Sequence, residues 1–219
     1  MATCEDNGSA TGGERDKPAK RKRRFGTAGS ATRDVILDAT ERVLVELGYG
    51  AVTTRRVAER GGLKAPLVHY YYKTTDDLLL ATYRRGAERS LQRHAEAMAV
   101  DNPLRALWEV NTDPDRTALA LEFMALANRH PTIRAEIGLY AEQIRAIEHV
   151  AISRYLRAQP GAEPFSPMAL TVILAAVARG LVMEAGVGIA LGHAETQGEI
   201  DALLVRLSQS AASPVPAGD

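Results

Sequence analysis

Cysteine and aromatic side chains are scarce in this sequence of 219 residues, and neither sign of charge is in excess. The only cysteine, Cys4, lies in a start rich in Gly, Ser and Asp, so a disulfide-stapled mini-protein is excluded. Aromatic residues make up 5% and hydrophobic residues 46%, which excludes a collagen-like repeat and a fully disordered chain. This cysteine usage predicts a reduced, cytoplasmic compartment.

An export signal is not expected, because the first twenty residues hold no apolar core of a secretory leader. The most apolar stretch, Met168 to Leu191, is long enough to span a bilayer. Arg179 near its middle and Glu184 after it would each cost about 2.5–3.5 kcal/mol in lipid. We therefore predict a helix that packs within the protein or against a second subunit.

Charge is sorted along the chain, although 27 basic and 27 acidic side chains cancel. Residues 1–16 carry one base and four acids, residues 17–75 thirteen bases and five acids, and residues 76–219 thirteen bases and eighteen acids. The net charges are therefore −3, +8 and −5. This order predicts a polyanion-facing module followed by a body with a different task.

Residues 1–30 have the composition of a disordered basic arm. Six bases occur among the eight residues from Lys17 to Arg24, and four of them are our candidate DNA contacts: Lys20, Arg21, Arg23 and Arg24. Three interpretations stay open. The arm is a solvated tail, a segment that lies along phosphates or enters a minor groove, or a nuclear import signal.

From Thr32 onward the apolar pattern is helical, and no run alternates with period two for long enough to predict a strand. Gly48 is expected to end the first helix. A long helix over 76–100 and two final helices over 167–191 and 195–209 are predicted. The chain is therefore predicted to be all-α, with about nine helices.

The segment from Thr54 to Lys73 has the spacing of a helix-turn-helix. Ala58 is small enough for a second helix to cross closely, and Gly62 can adopt the left-handed conformation of the turn. The second helix is expected to start near Lys64. Six side chains are then left for a DNA groove: Lys64, Ala65, Pro66, His69, Tyr70 and Lys73. At the start of the first helix, Thr53 (a good N-cap), Thr54 and Arg55 complete the predicted DNA-binding set.

The stretch from Ala31 to Leu80 resembles the DNA-binding domain of the TetR family of bacterial transcriptional regulators. The resemblance is carried by ILDAT at 36–40, LGY at 47–49, TTRRVAERGGL at 53–63 and LVHYYYKTTDDLL at 67–79. Beyond it, the similarity is limited to helix number and order and to turns such as ANRHPTIR at 127–134.

Three positions in this stretch depart from the family pattern. Lys64 stands where the family often has Ser, and His69 where Tyr is common. Thr75 stands where a phosphate-contacting Lys is common, and Lys73 is its candidate substitute.

The resemblance implies a three-helix DNA-binding head, a helical ligand-binding body, and a homodimer built mainly from the last two long helices. We predict that residues 31–77 form the head, 78–210 the body and 211–219 a disordered tail. Members of the family bind palindromic operators, and their effectors change the separation of two recognition helices that must lie about 34–36 Å apart. The implied function is a ligand-responsive regulator, by family default a repressor, without cofactor or metal.

Candidate pocket residues are large or polar side chains of the body: Trp108, Phe123, Met124, Asn128, Tyr140 and Met183. An apolar pocket of this kind predicts a small lipophilic effector. The candidate dimer contacts lie on two apolar stripes near the chain's end: Leu174, Ala175, Gly180, Leu181, Leu203 and Leu207.

Two other classes of function were weighed. An enzyme is disfavoured because none of the five histidines stands in an HExxH or paired-cysteine arrangement, and no GxSxG is present. GVGIALG at 186–192 is one residue too long for a dinucleotide loop and follows no strand. A helical interaction protein with a degraded DNA-binding head is the remaining alternative.

Overall fold

The fold consists of helices throughout the part of the chain that the structure, a computed structural model, describes: residues 25–158 and 166–209. Those residues contain no strand, which confirms the predicted all-α class. One turn of 3-10 helix covers Tyr49–Ala51. The α-helices are α1 (Phe25–Leu47), α2 (Thr54–Arg60), α3 (Ala65–Tyr71), α4 (Thr75–Ala97), α5 (Pro103–Asn111), α6 (Pro114–Ala127), α7 (Pro131–Arg157), α8 (Pro167–Gly186) and α9 (His193–Gln209).

The first helix is longer than predicted. α1 begins at Phe25, so the prediction of a disordered arm is wrong for residues 25–30. No proline occurs between Pro18 and Pro66, and alanine at 28 and 31 favours helix, so nothing interrupts α1 before the apolar stripe that anchors it. The four basic residues predicted to contact DNA from the arm, and the predicted tail at 211–219, lie outside the described residues.

Two hydrophobic cores lie along the molecule. The first is formed mainly by α1 to α4 and includes the fully buried side chains of Ile36, Val57 and Val68. Phe123 of α6 and Ile133 of α7 also belong to it, so the helix-turn-helix region packs against the rest of the chain. The second core is formed by the start of α5 and by parts of α7, α8 and α9, beginning with Met98 directly after α4.

The long helix α4 connects the two cores. Leu78 and Leu79 near its start belong to the first core, whereas Met98 belongs to the second. Its 23 residues correspond to about 34 Å. The helix starts at a capping box, in which Thr74 Oγ1 accepts from the Asp77 N–H (3.0 Å) and Asp77 Oδ2 accepts from the Thr74 N–H (3.1 Å). The predicted long helix is therefore present, and it ends three residues earlier than expected.

α8 ends at Gly186, five residues earlier than predicted, whereas α9 starts at His193, two residues earlier than predicted. By length and composition alone, α8 could cross a membrane. In the fold it packs against α5, α6 and α7. Three of the predicted dimer contacts, Leu174, Ala175 and Leu207, are buried within the chain itself rather than lying on its surface.

The face of α8 that other helices leave uncovered carries different apolar residues. Val172, Ile173 and Met183 are each between 43% and 46% exposed. Gly180, Leu181 and Leu203, the other predicted dimer contacts, are half-buried. The sequence shows which residues of a helix form an apolar stripe. It does not show which of them pack inside the chain and which stay on its surface, because that depends on the neighbouring helices.

Candidate DNA-binding face and ligand pocket

The α2–turn–α3 segment has the geometry that its spacing predicts. Thr53 caps α2, with its side chain accepting from the Arg56 N–H at 3.2 Å. Ala58 is buried where α2 meets α3, and the Leu63 N–H donates to the Ala58 carbonyl at 2.8 Å. Gly62 has φ +64°, a backbone conformation that is strained for residues with a β-carbon. These contacts fix the angle between α2 and α3.

The outward face of α3, together with the residue just after its C-cap, carries three of the predicted DNA-binding residues. His69, Tyr70 and Lys73 are exposed, Tyr70 to 70% of its surface. The Lys73 ammonium lies 5.7 Å from the centre of the Tyr70 ring. Val68 is fully buried and points the other way. This face therefore presents a cation, a phenol and an imidazole, which can donate to phosphates or base edges.

The other predicted residues surround this face. Lys64, the N-cap of α3, is exposed together with Pro66 and Arg55, whereas Thr54 and Ala65 are half-buried. Residues 64–75 contain no acidic side chain. The positive charge of this surface is therefore not opposed from within α3.

Arg33 of α1 is a neighbour of the face that sequence reasoning missed. Its guanidinium carbon lies 5.7 Å from the centre of the Tyr71 ring, and that ring meets Tyr70 edge-on at 5.3 Å. Behind them, burial raises the pKa of Tyr72, so this phenol stays protonated. The sequence does hold a signal for it, because Arg33 stands one turn before the buried Ile36 and Leu37, on the side of α1 that meets the rest of the head.

A cavity of about 380 Å³ lies between α1, α4, α5, α6, α7 and α8. Phe123 and Tyr140, two of the predicted pocket residues, line it. The Tyr83 ring meets Phe123 at 5.1 Å and Tyr140 at 6.1 Å, both edge-on. Burial, followed by Tyr140 and Glu136, raises the pKa of Tyr83 to about 12. The phenol of Tyr83 is therefore neutral at physiological pH.

The other four predicted pocket residues lie elsewhere. Trp108 and Met183 line a second, separate depression between α5, α6 and α8. Met124 is 60% exposed and Asn128 is the exposed C-cap of α6, and neither lines the two cavities found among the described residues. The predicted set is therefore not one site, because residue type alone does not report the direction in which a helix face points.

Four cavity-lining arginines were not predicted: Arg89, Arg93, Arg116 and Arg179. Arg179 Nη1 donates to Asn111 Oδ1 at 3.0 Å, across 68 residues of sequence. Burial lowers the pKa of Arg179, and the positive charge of Arg145 lowers it further. The sequence does indicate which residues of α4 line the cavity together. Their spacing of three and four residues places them on one face of the helix: Tyr83, Gly86, Ser90 and Arg93.

A separate set of contacts joins the head to α6 and α7. The Tyr49 N–H donates to Glu122 Oε2 at 3.3 Å, across 73 residues of sequence. The ring of Tyr49 meets His130 edge-on at 6.2 Å, and His130 Nδ1 lies 3.6 Å from Asp76 Oδ1. Glu122 directly precedes Phe123, which lines the cavity. One turn of α6 therefore touches both the cavity and the start of the helix-turn-helix region.

Comparisons with known proteins agree with this architecture. Residues 36–82 match the profile of a family described as bacterial regulatory proteins, tetR family. The HTH-type transcriptional regulator BetI of Rhizobium meliloti (strain 1021) is 29% identical over 52% of this chain and 61% of its own length. The HTH-type transcriptional repressor AcnR of Corynebacterium diphtheriae is 25% identical over 58% of this chain and 65% of its own length. The chain thus spans about three fifths of the curated relatives that it matches.

Similarity of fold extends further along the chain. The crystal structure of a putative transcriptional regulator from Saccharomonospora viridis in complex with choline superposes with a TM-score of 0.67. The two proteins are 20% identical, and the match covers 82% of this chain and 95% of the other. At this identity the likeness establishes the fold.

Proposed function

We propose that the chain is a transcriptional regulator of the TetR type whose DNA binding is controlled by a small molecule, since residues 36–82 match the profile of that family. The observation that carries the proposal is the exposed face of α3, with His69, Tyr70 and Lys73. The matched relatives are transcriptional regulators, a non-enzymatic class. An interaction protein with a degraded head is disfavoured, because the turn and its exposed cations are intact.

The remaining features of the proposal rest on the relatives. AcnR is named as a repressor, which supports repression rather than activation. A cytoplasmic location fits a regulator of genes. We propose a homodimer in which Gly180, Leu181 and Leu203, together with the exposed Val172 and Ile173, meet a second copy. Such a dimer would place two α3 helices on successive major grooves of a palindrome.

The route of control runs through α6. A ligand in the cavity would press on Phe123, and Glu122 beside it is the acceptor for the Tyr49 N–H of the head. Movement of this turn would therefore change the position of α1 to α3 relative to α4. A shift of a few ångströms between two recognition helices is enough to misplace them on DNA.

Replacement Glu122→Ala is expected to weaken this control. The variant removes the carboxylate that accepts from Tyr49, while Phe123 and the rest of the cavity are unchanged. A compound that binds the cavity should then keep its affinity, yet lower operator affinity several-fold less than in the parent protein. Titration of operator DNA with and without the compound measures this. Glu122→Gln retains an acceptor oxygen and is the matched control, so an equal response in Glu122→Ala and Glu122→Gln would contradict the route.

The proposed function is tested by selecting bound fragments from genomic DNA near physiological salt. A recovered palindrome would support a dimeric, sequence-specific regulator. Sequence-blind binding that disappears as salt rises would contradict it and favour an arm-driven interaction with DNA.

On the recovered operator, Lys64→Gln and Lys73→Gln should each lower affinity. A lysine that neutralises one phosphate also releases counterions, so its removal should reduce the slope of log K against log salt by about 1. Arg154→Gln, which removes an exposed cation near the end of α7, is the control and should leave the slope unchanged. Equal slopes in all three variants would show that Lys64 and Lys73, which flank α3, do not contact phosphates.

A further inference from the structure

Positively charged side chains outnumber negatively charged ones in the lining of the cavity. Four arginines line it, whereas Glu41 is the one carboxylate among its described lining residues. Around them stand apolar and aromatic side chains, among them Phe123 and Ile144. A pocket with this lining offers a ligand both positive charge and apolar surface.

The nearby carboxylates are already engaged. Glu41 Oε1 lies 2.7 Å from Arg85 Nη2, and Asp113 Oδ2 lies 2.6 Å from Arg116 Nε. Glu148, which is 2% exposed and outside the lining, has its Oε1 2.8 Å from His94 Nδ1. A cationic ligand would therefore find no unengaged carboxylate on the described walls of this cavity.

Two of the lining arginines have no carboxylate partner among the described residues. Arg93 Nε is buried and makes no hydrogen bond. Arg179 donates to the neutral amide of Asn111, and its pKa is lowered by burial and by Arg145. Arg145 Nη1 is itself buried without a hydrogen bond, 3.8 Å from Glu148 Oε2. Arg145 and Arg179 thus lie near one carboxylate, that of Glu148, which already pairs with His94, and Arg93 has a buried Nε that makes no hydrogen bond. An added anion would give these guanidinium groups a charged partner.

We propose that the cavity binds an amphipathic organic acid, whose carboxylate lies against Arg93 and Arg179 and whose apolar part lies against Tyr83 and Phe123. Planar guanidinium groups match carboxylates through paired hydrogen bonds, which gives such a ligand a fixed orientation. The inference rests on the proposed function only in that this acid would be the effector. Aromatic rings can also enclose a quaternary ammonium group, but here four arginines share the wall with them.

The test uses three series of compounds with equal chain lengths: linear alkanoates, alkyltrimethylammonium salts and primary alcohols of six to ten carbons. Binding to the full-length protein is measured by calorimetry and thermal shift, in a buffer without phosphate or carboxylate. We expect the alkanoates to bind at least tenfold more tightly than the matched alcohols, and the ammonium salts more weakly than the alcohols. Arg93→Gln and Arg179→Gln should each weaken alkanoate binding about tenfold, whereas alcohol binding stays within threefold.

Arg84→Gln is the matched control, since Arg84 stands on the same helix as Arg93, pairs with Glu136 and lies outside the cavity. Three results would overturn the inference: ammonium salts that bind as tightly as alkanoates, absence of alkanoate binding, or alkanoate affinity unchanged in both arginine variants. Circular dichroism of each variant shows that a loss of binding does not come from unfolding.

Operator binding, measured in the same samples, keeps the two proposals apart. If alkanoates bind without changing operator affinity, the acid-binding cavity is supported, but the proposal that a ligand controls DNA binding is contradicted. If only the ammonium salts or the alcohols release the operator, the proposal that a ligand controls DNA binding is supported, and the inference that the effector is an acid is contradicted.

Discussion

Val68→Asp is expected to unfold the DNA-binding head, whereas Leu67→Asp should leave it folded. Val68 is fully buried in the first core, and a carboxylate placed there would have no partner. Such burial costs several kcal/mol, of the order of the whole stability of about 5–15 kcal/mol of a small domain. Leu67 is 37% exposed, so the same side chain there can reach water.

Thermal melting followed by circular dichroism, together with binding to a recovered operator, checks this result. The second core has its own buried side chains, from Met98 to Leu207. We therefore expect Val68→Asp to lose part of its helical signal at low temperature and to retain the rest until near the melting temperature of the parent. Operator binding should be absent. Melting of Val68→Asp that coincides with that of Leu67→Asp would show that the first core does not depend on this position.

The helix-turn-helix region could be predicted in detail because its signals are local. Gly48 ends α1 with φ +73°, Gly62 takes the left-handed turn, and Thr53 caps α2 through a bond to the third residue after it. Each of these features depends on neighbours within a few residues. Positions that need a small side chain, a helix cap or a left-handed backbone can therefore be recognised in a single sequence, without knowledge of the rest of the fold.

The cavity could not be predicted in the same way, because its residues meet across long stretches of chain. Arg179 and Asn111, which both line it, are 68 residues apart. The period of a helix shows which residues share a face, but the neighbour that covers that face follows from packing. For this reason only two of the predicted pocket residues, Phe123 and Tyr140, line the cavity. Met124, one residue from Phe123, faces solvent.

Glu148→Ala is the substitution outside the head with the largest expected cost. Glu148 of α7 is 2% exposed, and its Oε1 lies 2.8 Å from Nδ1 of the buried His94 of α4, an ion-pair distance whose angle falls short of a hydrogen bond. Arg145 Nη1 approaches its other oxygen at 3.8 Å. Removing one member of a buried pair leaves its partners without compensation and costs about 3–5 kcal/mol. Urea denaturation at pH 7 measures this loss.

Two further variants separate the charge pair from ordinary loss of packing. Glu142→Ala, on the exposed side of the same helix, should change the free energy of unfolding by no more than about 0.5 kcal/mol. The double variant His94→Leu with Glu148→Leu should recover most of the stability lost in Glu148→Ala, because apolar residues of similar volume commonly replace a buried pair without loss. Full recovery would mean that the pair adds little net stability to the contact between α4 and α7. If Glu148→Ala were as stable as Glu142→Ala, His94 and Arg145 would not depend on this carboxylate, and the assignment of a buried pair that joins α4 to α7 would be contradicted.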